Sequence, residues 1–249
     1  MRERRFLIPD LSRVSSGSEV EITGAEAHHL LHVLRLRPGD SVVVFDGQGK
    51  EFLAELTRCE KNSAAARVLE PSTPRESPFS LTLAVAVPKM DSMSRIVQKL
   101  TELGAHRVIP IQTERSIVTA SRAARQLFRW RRIAAEAAKQ SGRAVVPIIE
   151  EPLTFAALLE IDLPARRLLL TVNGPRLEDE ERSPSCLAAI GPEGGWTTEE
   201  TAAAMAKGFR PVGLGPRTLR TETAALAAAA VLEWLWGDGR SDPIPRRTD

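Results

Sequence analysis

The hydrophobic pattern of this chain changes at residues 71–78, a stretch that holds three prolines and two serines. Beyond it, the almost continuous apolar run at 81–87 is typical of a strand that is buried on both faces. Strand-like and helix-like segments then alternate as far as Trp236, a pattern that predicts a mainly parallel sheet covered by helices. The chain should therefore be an α/β protein, with the proline-rich stretch as a linker between two domains.

The segment before the linker reads as a small β domain. Short alternating or apolar runs predict several strands with tight turns, and this pattern favours a small β-barrel over residues 1–72. The predicted strands are 19–22, 41–45, 51–56 and 64–69, with a hairpin turn at 46–49 and one short helix at 25–34.

The segment after the linker, residues 77–236, carries the α/β pattern. Apolar residues at helical spacing predict helices at 92–104, 121–141, 155–159, 197–207 and 221–236. Further strands are predicted at 107–111, 145–149, 167–172, 185–190 and 210–214. Thr197 and Glu200 have the spacing of a capping box. The polar tail 237–249 is expected to be flexible.

Composition argues for an ordinary globular protein, with 43% hydrophobic residues, 27% charged residues and a net charge of +2. Cys59 and Cys186 lie far apart, which favours reduced thiols in a cytoplasmic protein. No apolar run is long enough for a membrane span, so no membrane association is expected. His28 and His32 have i,i+4 spacing, but without further ligands a metal site is not expected.

Two glycine-rich segments near the C-terminal end are the strongest functional signal. Residues 190–196 read Ile-Gly-Pro-Glu-Gly-Gly-Trp, and residues 214–225 begin Leu-Gly-Pro-Arg. Each follows a strand-like run and precedes a helical pattern. Glycine lets the backbone turn sharply and approach a ligand, and ligands of α/β sheets bind outside the carboxyl ends of the strands. The two loops therefore predict one small-molecule pocket. Neither a dinucleotide-binding nor a P-loop fingerprint is present in the sequence.

Arginines are clustered although the net charge is low. Such local clusters suit an anionic partner. They fall at residues 1–5, at Arg35 and Arg37, at Arg122, Arg125, Arg129, Arg131 and Arg132, and at Arg217 and Arg220.

Several blocks together identify a family. Added to the two loops, they make the chain resemble the SPOUT superfamily of RNA methyltransferases, and within it the RsmE family of 16S ribosomal RNA uracil-N3 methyltransferases. The blocks are Arg4-Arg5-Phe6, residues 32–40, Asp46-Gly47, Lys89, residues 99–104, residues 114–116 and residues 136–143. The chain departs from the family in lacking tyrosine, and Leu7 stands beside the Arg-Arg-Phe motif.

The resemblance implies a PUA-like barrel followed by a SPOUT domain with a trefoil knot at about 188–236. It implies S-adenosylmethionine as cofactor, 16S ribosomal RNA or the small ribosomal subunit as partner, and a homodimer. The implied cofactor-binding residues are Ile190, Gly191, Pro192, Glu193, Gly194, Gly195, Leu214, Gly215, Leu219, Arg220, Thr221, Thr223 and Ala224. The implied RNA-binding residues are Arg4, Arg5, Arg35, Arg37, Lys89, Arg115, Gln140 and Arg143.

Methylation of uracil N3 requires loss of the imide proton, so a base or a cation that stabilises the anion is needed. The resemblance to the family implies Arg220, Glu222 and Arg5 as the catalytic residues. Lys89, Arg115 and Arg143 are further candidates for the cation, and Glu193 is a further candidate for the base. The sequence does not separate them, and Glu222 has a structural alternative as a helix-dipole partner.

Two other functions remain open from the sequence. A ribose 2′-O methyltransferase of the same superfamily would have an asparagine-containing loop where residues 102–107 read Glu-Leu-Gly-Ala-His-Arg, which favours base methylation. A catalytically silent RNA-binding assembly factor is disfavoured by the two intact glycine loops.

Overall fold

The structure is a computed structural model that describes residues 4–89 and 92–239. The chain divides into two compact units. Unit 1 comprises Met1–Glu76 and Ala135–Val146, and unit 2 comprises Ser77–Ala134 and Pro147–Asp249. The sequence did not predict that residues 135–146 belong to the first unit. Most of the predicted tail, from residue 240 onward, and residues 1–3 of the first basic cluster lie outside the described residues.

Unit 1 is built on a five-stranded sheet in the order β1-β3-β4-β5-β2. The strands are β1 (Arg5–Leu7), β2 (Glu19–Ile22), β3 (Ser41–Phe45), β4 (Glu51–Cys59) and β5 (Ala64–Pro71). β1 runs parallel to β3, and the other pairs are antiparallel. The predicted small β domain is confirmed. Its sheet forms a half-barrel, since no pairing closes β1 onto β2 within the part of the chain that is described.

The predicted helix at 25–34 is present in two pieces. Helix α1 (Gly24–His28) continues into a π-helical turn, His29–Val33. The turn is closed by a hydrogen bond from Leu34 N to His29 O, 2.9 Å long, which spans five residues instead of four. Leu30 is fully buried in the core of unit 1 with Phe6 and Ile22, whereas Val33 and Leu34 are exposed.

The predicted parallel sheet of unit 2 is confirmed, and it has seven strands where the sequence predicted six. Its order is β12-β10-β11-β6-β7-β8, and β9 pairs with β7. The strands are β6 (Ser80–Ala86), β7 (Arg107–Gln112), β8 (Ile148–Ile149), β9 (Leu153–Thr154), β10 (Arg166–Leu170), β11 (Ser185–Ile190) and β12 (Phe209–Val212). Residues 81–87 are all buried, as expected for a central strand with both faces covered.

The helices of unit 2 are α2 (Ser92–Glu102), α3 (Ala120–Ala124), the first part of α4 (Leu127–Ser141), α5 (Phe155–Leu158), α6 (Thr198–Ala206) and α7 (Thr221–Trp236). The prediction of a single helix at 121–141 is wrong, because a turn at residues 125 and 126 separates α3 from α4. Thr119 caps the start of α3 by accepting a hydrogen bond from Arg122 N. The predicted capping box of α6 is confirmed, with Thr197 and Glu200 each bonded to the other's backbone N–H.

The last helix lies far from the strand that precedes it. β12 is the edge strand beside β10, whereas α7 packs against β6 and β11 in the middle of the sheet. The chain therefore crosses over between Val212 and Thr221, as the predicted trefoil knot requires. The threading itself stays a prediction.

Candidate functional site

Three parallel strands end at one cavity in unit 2. Because β10 lies between β12 and β11, the segments that follow these strands meet at the same edge of the sheet. The cavity has a volume of about 350 Å³. It is lined by Leu170, Thr171, Val172, Ile190, Gly191, Pro192, Glu193, Gly195, Trp196, Thr201, Leu214, Gly215, Arg217, Thr218, Leu219, Thr221 and Ala224.

Both predicted glycine loops line this cavity. The predicted cofactor residues found there are Ile190, Gly191, Pro192, Glu193, Gly195, Leu214, Gly215, Leu219, Thr221 and Ala224. Gly194, Arg220 and Thr223, predicted with them, do not line it. The cavity is therefore formed by the residues that the sequence singled out, together with others that it did not.

Seven of the lining residues are not among the predicted cofactor-binding residues, and three of these lie at the end of β10. Leu170, Thr171 and Val172 line the cavity, as do Trp196, Thr201, Arg217 and Thr218. A glycine, Gly174, follows β10, but it leads into no predicted helix as the glycines of the two loops do. Only the strand order, in which β10 separates β11 from β12, could have indicated its contribution.

Trp196 holds the first glycine loop. Its indole Nε1 donates a 2.8 Å hydrogen bond to the carbonyl oxygen of Leu170, and its ring lies 4.7 Å from the ring of Phe155. A Cβ on Gly191 would come within 3.0 Å of Trp196 Cε2. Glycine at 191 therefore allows the backbone to lie directly on the indole. Gly195, with φ of +69°, turns the chain back, and its N–H donates to Pro192 O.

The segment after β12 is hydrogen-bonded both to the segment after β10 and to the first glycine loop. Gly213 N donates a 2.6 Å hydrogen bond to Pro175 O, and a Cβ on Gly213 would lie 2.7 Å from Gly174 O. Two backbones cross there in a space that only glycine fits. Farther along, the Thr221 hydroxyl donates to Gly191 O at 3.0 Å. Through these bonds the three lining segments are fixed relative to one another.

Arg115, predicted to bind RNA, holds the first loop from outside. Its Nη1 donates to the carbonyl oxygens of Gly194 at 2.8 Å and Trp196 at 3.4 Å. Next to it, Glu114 N donates to the side chain of Glu200, the capping-box residue of α6. The guanidinium is exposed but engaged, so its position fits support of the loop.

The predicted catalytic pair stands at the start of α7. Arg220 is exposed at the N-cap position, and Glu222 is half-buried in the first turn. Neither lines the cavity, although Leu219 and Thr221 on either side of Arg220 do. The charged side chains that do line it are Glu193 and Arg217, both exposed.

Arg5 and Arg143 do not fit the predicted contact with RNA, nor Arg5 a catalytic role. Both are buried in unit 1, with 7% and 4% of their surface exposed. Arg5 forms an ion pair with Glu51, donates to Arg143 O at 3.0 Å and lies over the ring of Phe45. Arg143 donates to Glu76 through Nε at 3.0 Å and Nη2 at 2.8 Å. These cations stabilise unit 1.

The remaining predicted RNA contacts are accessible. In unit 1, Arg35, Arg37 and Gln140 are exposed, and Arg4 is partly exposed in a 3.1 Å ion pair with Asp40. A hydrogen bond from Arg37 N, with the Arg4 guanidinium, lowers the pKa of Asp40 below its usual value. Arg35 lies two residues after the π-helical turn and has a left-handed backbone, with φ of +55°. In unit 2, Lys89 is exposed.

No group of three or more His, Cys, Asp or Glu side chains is placed to hold a metal ion within residues 4–89 and 92–239. The rings of His28 and His32 lie 4.9 Å apart. None of the helices in the described part of the chain is long and apolar enough to cross a membrane.

Comparison with known proteins identifies the family. The sequence model of the RNA methyltransferase domain matches residues 75–233, and that of the RNA methyltransferase PUA domain matches residues 22–69. The ribosomal RNA small subunit methyltransferase E of Synechocystis is 40% identical over 225 residues, which are 87% of this chain and 73% of that protein. Its counterpart in Bacillus subtilis is 32% identical over 246 residues, 93% of this chain and 96% of that protein.

Among solved structures, the chain is similar to a ribosomal RNA small subunit methyltransferase E from Neisseria gonorrhoeae bound to S-adenosyl methionine. That structure has a TM-score of 0.87 and 39% identity, covering 95% of this chain and 99% of the other. The resemblance found in the sequence is thereby confirmed, and the chain belongs to the ribosomal RNA small subunit methyltransferase E family.

Proposed function

We propose that this protein transfers the methyl group of S-adenosylmethionine to N3 of a uridine in 16S ribosomal RNA. The observation that carries the proposal is the cavity at the ends of β10, β11 and β12 in a chain of this family. The Neisseria gonorrhoeae relative, of similar fold, is bound to S-adenosyl methionine. The relatives are named as small-subunit ribosomal RNA methyltransferases.

The cavity suits S-adenosylmethionine in size and lining. Its volume of about 350 Å³ lies in the range of small-molecule sites. Backbone groups of the loops at 190–195 and 214–219 can pair with the edge of an adenine, and Leu170 and Ile190 offer apolar contact. The N-terminus of α7, which lies at the cavity through Thr221 and Ala224, favours negative charge such as a carboxylate. Bound there, the sulfonium supplies an electrophilic methyl group.

The proton on uracil N3 must leave before the nitrogen can attack a methyl group. We assign this part of the reaction to the start of α7. Arg220 is exposed and is free of ion pairs within the described residues, so it can approach uracil O2 or O4 and stabilise the developing anion. Glu222 is the proposed proton acceptor, with Glu193 at the cavity as its alternative. Arg5 has no part in this proposal because it is buried in unit 1.

The proposed macromolecular partner is 16S ribosomal RNA or the small ribosomal subunit. In unit 1 the exposed residues Arg4, Arg35, Arg37 and Gln140 are proposed to contact RNA, and in unit 2 Lys89 is proposed to do so. Arg115 and Arg143 are reassigned to loop support and to the core of unit 1. We further propose that the protein acts as a homodimer and, given its substrate, in the cytoplasm.

A methyl-transfer assay tests the function. Ribosomal RNA is incubated with the enzyme and S-adenosylmethionine carrying a labelled methyl group, and the modified nucleoside is identified by mass spectrometry. We expect N3-methyluridine. A 2′-O-methylated nucleoside would favour the ribose-modifying alternative, and RNA binding without transfer would favour a silent assembly factor.

Arg220→Ala tests the assignment of the site within the same assay. We expect a loss of methyl transfer of 100-fold or more, on the order of general acid–base or electrostatic contributions. Cofactor affinity should change little because Arg220 does not line the cavity. Arg95→Ala, at an exposed position in α2 that likewise forms no ion pair with a described residue, is the matched control. Unchanged transfer and affinity for Arg220→Ala would exclude Arg220.

A further inference from the structure

The segment that contains α3 and the start of α4 is basic and has no acidic residue. Residues 115–135 include six arginines and not one Asp or Glu. Arg122, Arg125, Arg129 and Arg132, which we call the arginine face, are all exposed. Exposed charges of one sign raise the local potential and attract anions.

Three members of the arginine face are not neutralised within the protein. Arg131, beside the face, donates to Ile149 O at 3.1 Å and lies 3.9 Å from Glu151. By contrast, Arg122, Arg125 and Arg132 make no ion pair or side-chain hydrogen bond with any residue that the structure describes. Their charges are therefore available to a ligand.

The arginine face borders a groove. A cavity of about 420 Å³ is lined by Arg122 and Arg129 of the face, by Lys89 and by Gln126. Ile117 and Trp130 are among its apolar lining residues, and no acidic residue within 4–89 and 92–239 lines it. A groove with cationic side chains over an apolar floor can hold phosphate and nucleoside groups together.

The position of the groove in the sheet of unit 2 relates it to the cofactor cavity. Lys89 follows β6, and β6 pairs in parallel with β11, whose last residue Ile190 leads into the first glycine loop. The groove and the cofactor cavity therefore both lie at the carboxyl edge of the sheet, beside adjacent strands.

An exposed aromatic ring lies within the same segment. Phe128, near the start of α4, is 81% exposed, and Arg125, Arg129 and Arg132 lie within four residues of it in sequence. Exposed aromatic rings bordered by arginines are the usual platforms for unstacked bases. An acidic protein surface would pair with the arginines but would not explain the exposed ring of Phe128.

We propose that the groove and the arginine face bind the phosphate backbone of RNA that flanks the target uridine, with Phe128 stacking on a base. This inference rests on the proposed function for the identity of the RNA. It adds a second anchor in unit 2 to the predicted contacts of unit 1. The number of phosphates neutralised should appear as a salt dependence of the binding constant.

The test is Arg122→Ala/Arg125→Ala in the full-length protein, measured as binding to a 16S ribosomal RNA fragment over a series of salt concentrations. We expect RNA affinity to fall roughly tenfold or more at low salt. The slope of log K against log salt should become shallower by about 1 to 2, close to one phosphate for each cation removed. Affinity for S-adenosylmethionine, measured by calorimetry, should not change.

Two control variants make the result specific. Lys61→Ala/Arg95→Ala removes the same charge from two exposed positions whose side chains form no ion pair with any described residue, and it should bind RNA like the wild type. Arg122→Lys/Arg125→Lys keeps both charges and should retain the slope. If the alanine pair fails to fold, Arg125→Gln alone gives the same test at one exposed site, with a loss of about threefold and a slope change of about 1.

Equal affinity and slope in the Arg122/Arg125 alanine variant and the wild type would overturn the proposal. Failure of the proposed function is distinguishable. In that case the wild type would transfer no methyl group to ribosomal RNA, whatever the arginines contribute to RNA binding.

Discussion

The hydroxyl of Thr221 donates a 3.0 Å hydrogen bond to the carbonyl oxygen of Gly191. Thr221 begins α7 and is 2% exposed, whereas Gly191 follows β11 in the first glycine loop. Both residues line the cofactor cavity. One side-chain hydrogen bond, between residues that are thirty positions apart in sequence, thus joins the two loops.

Thr221→Val should weaken this junction while preserving its shape. Without the hydroxyl, the partly buried Gly191 carbonyl loses a partner, which costs about 1 kcal/mol of folding stability. Because the loops form the cavity, affinity for S-adenosylmethionine should fall roughly three- to tenfold, measured by calorimetry. Thr198→Val, at an exposed position in α6, is the matched control. Cofactor affinity equal to that of the wild type would show that the loops are held by other contacts.

Gly191→Ala should disturb the contact with the tryptophan beneath it. The new Cβ would lie 3.0 Å from Cε2 and 3.1 Å from Nε1 of Trp196. The indole is held by its 2.8 Å hydrogen bond to Leu170 O, which a shift away from the new Cβ would lengthen. We expect a loss of about 1 to 3 kcal/mol in stability from overpacking, with weaker cofactor binding.

A double-mutant cycle with Trp196→Ala checks the cause. In that background the steric conflict is gone, so Gly191→Ala should cost much less than in the wild type. The free energy of unfolding is the measurement for all four proteins. Strict additivity of the two changes would contradict the steric explanation.

The sequence could predict the two glycine loops because each combines a strand end, glycine and a following helix within a few residues. It could not predict the part played by Leu170–Val172, which depends on β10 lying between β11 and β12. The crossing at Gly174 and Gly213 was missed for the same reason, since it joins segments that are distant in sequence.

The local sequence pattern likewise could not predict which arginines are buried. Arg5 and Arg35 look alike in sequence as members of basic motifs, yet Arg5 is buried against Glu51 and Arg35 is exposed. The partners that neutralise Arg5 and Arg143 come from other strands and loops. The break before Leu127 carries neither glycine nor proline, so the helical pattern continued through it.

Arg143→Ala should destabilise unit 1 strongly. The change leaves Glu76, which Arg143 contacts at 2.8 Å, without its buried cation. Removal of one member of a buried ion pair costs about 3 to 5 kcal/mol. Glu76 also accepts hydrogen bonds from the N–H groups of Ala144 and Val145, so hydrogen exchange at these two amides should accelerate.

The partly exposed pair Arg4–Asp40 provides the comparison for this prediction. With side-chain exposures of 39% and 37%, Arg4→Ala should cost only about 0 to 1 kcal/mol. Amide exchange followed by mass spectrometry measures both variants. Similar protection of residues 144 and 145 in the wild type and in Arg143→Ala would contradict the structural role of Arg143.

Stability should decrease in alkaline solution because of Cys186. Burial raises the pKa of this thiol from 9.0 to about 12. Between these values the unfolded chain loses the proton while the folded chain keeps it, so the unfolded state gains stability as pH rises. Cys186→Ala removes this dependence. The stability advantage of the wild type over the variant should shrink by about 1 kcal/mol between pH 9 and pH 10, measured by urea denaturation. A constant difference would show that the thiol titrates normally.

Arg35→Gly should separate the binding role of the side chain from the strain of its backbone. Arg35 is exposed and has φ of +55°, a conformation that costs a residue with a Cβ about 1 kcal/mol but costs glycine nothing. Stability should therefore stay the same or rise by up to about 1 kcal/mol.

Affinity for 16S ribosomal RNA should nevertheless fall, and the salt slope should become shallower by about 1, because one proposed phosphate contact is lost. Arg13→Gly, at another exposed arginine of unit 1, is the control for the loss of charge. RNA binding by Arg35→Gly that matches the wild type would exclude Arg35 from the interface.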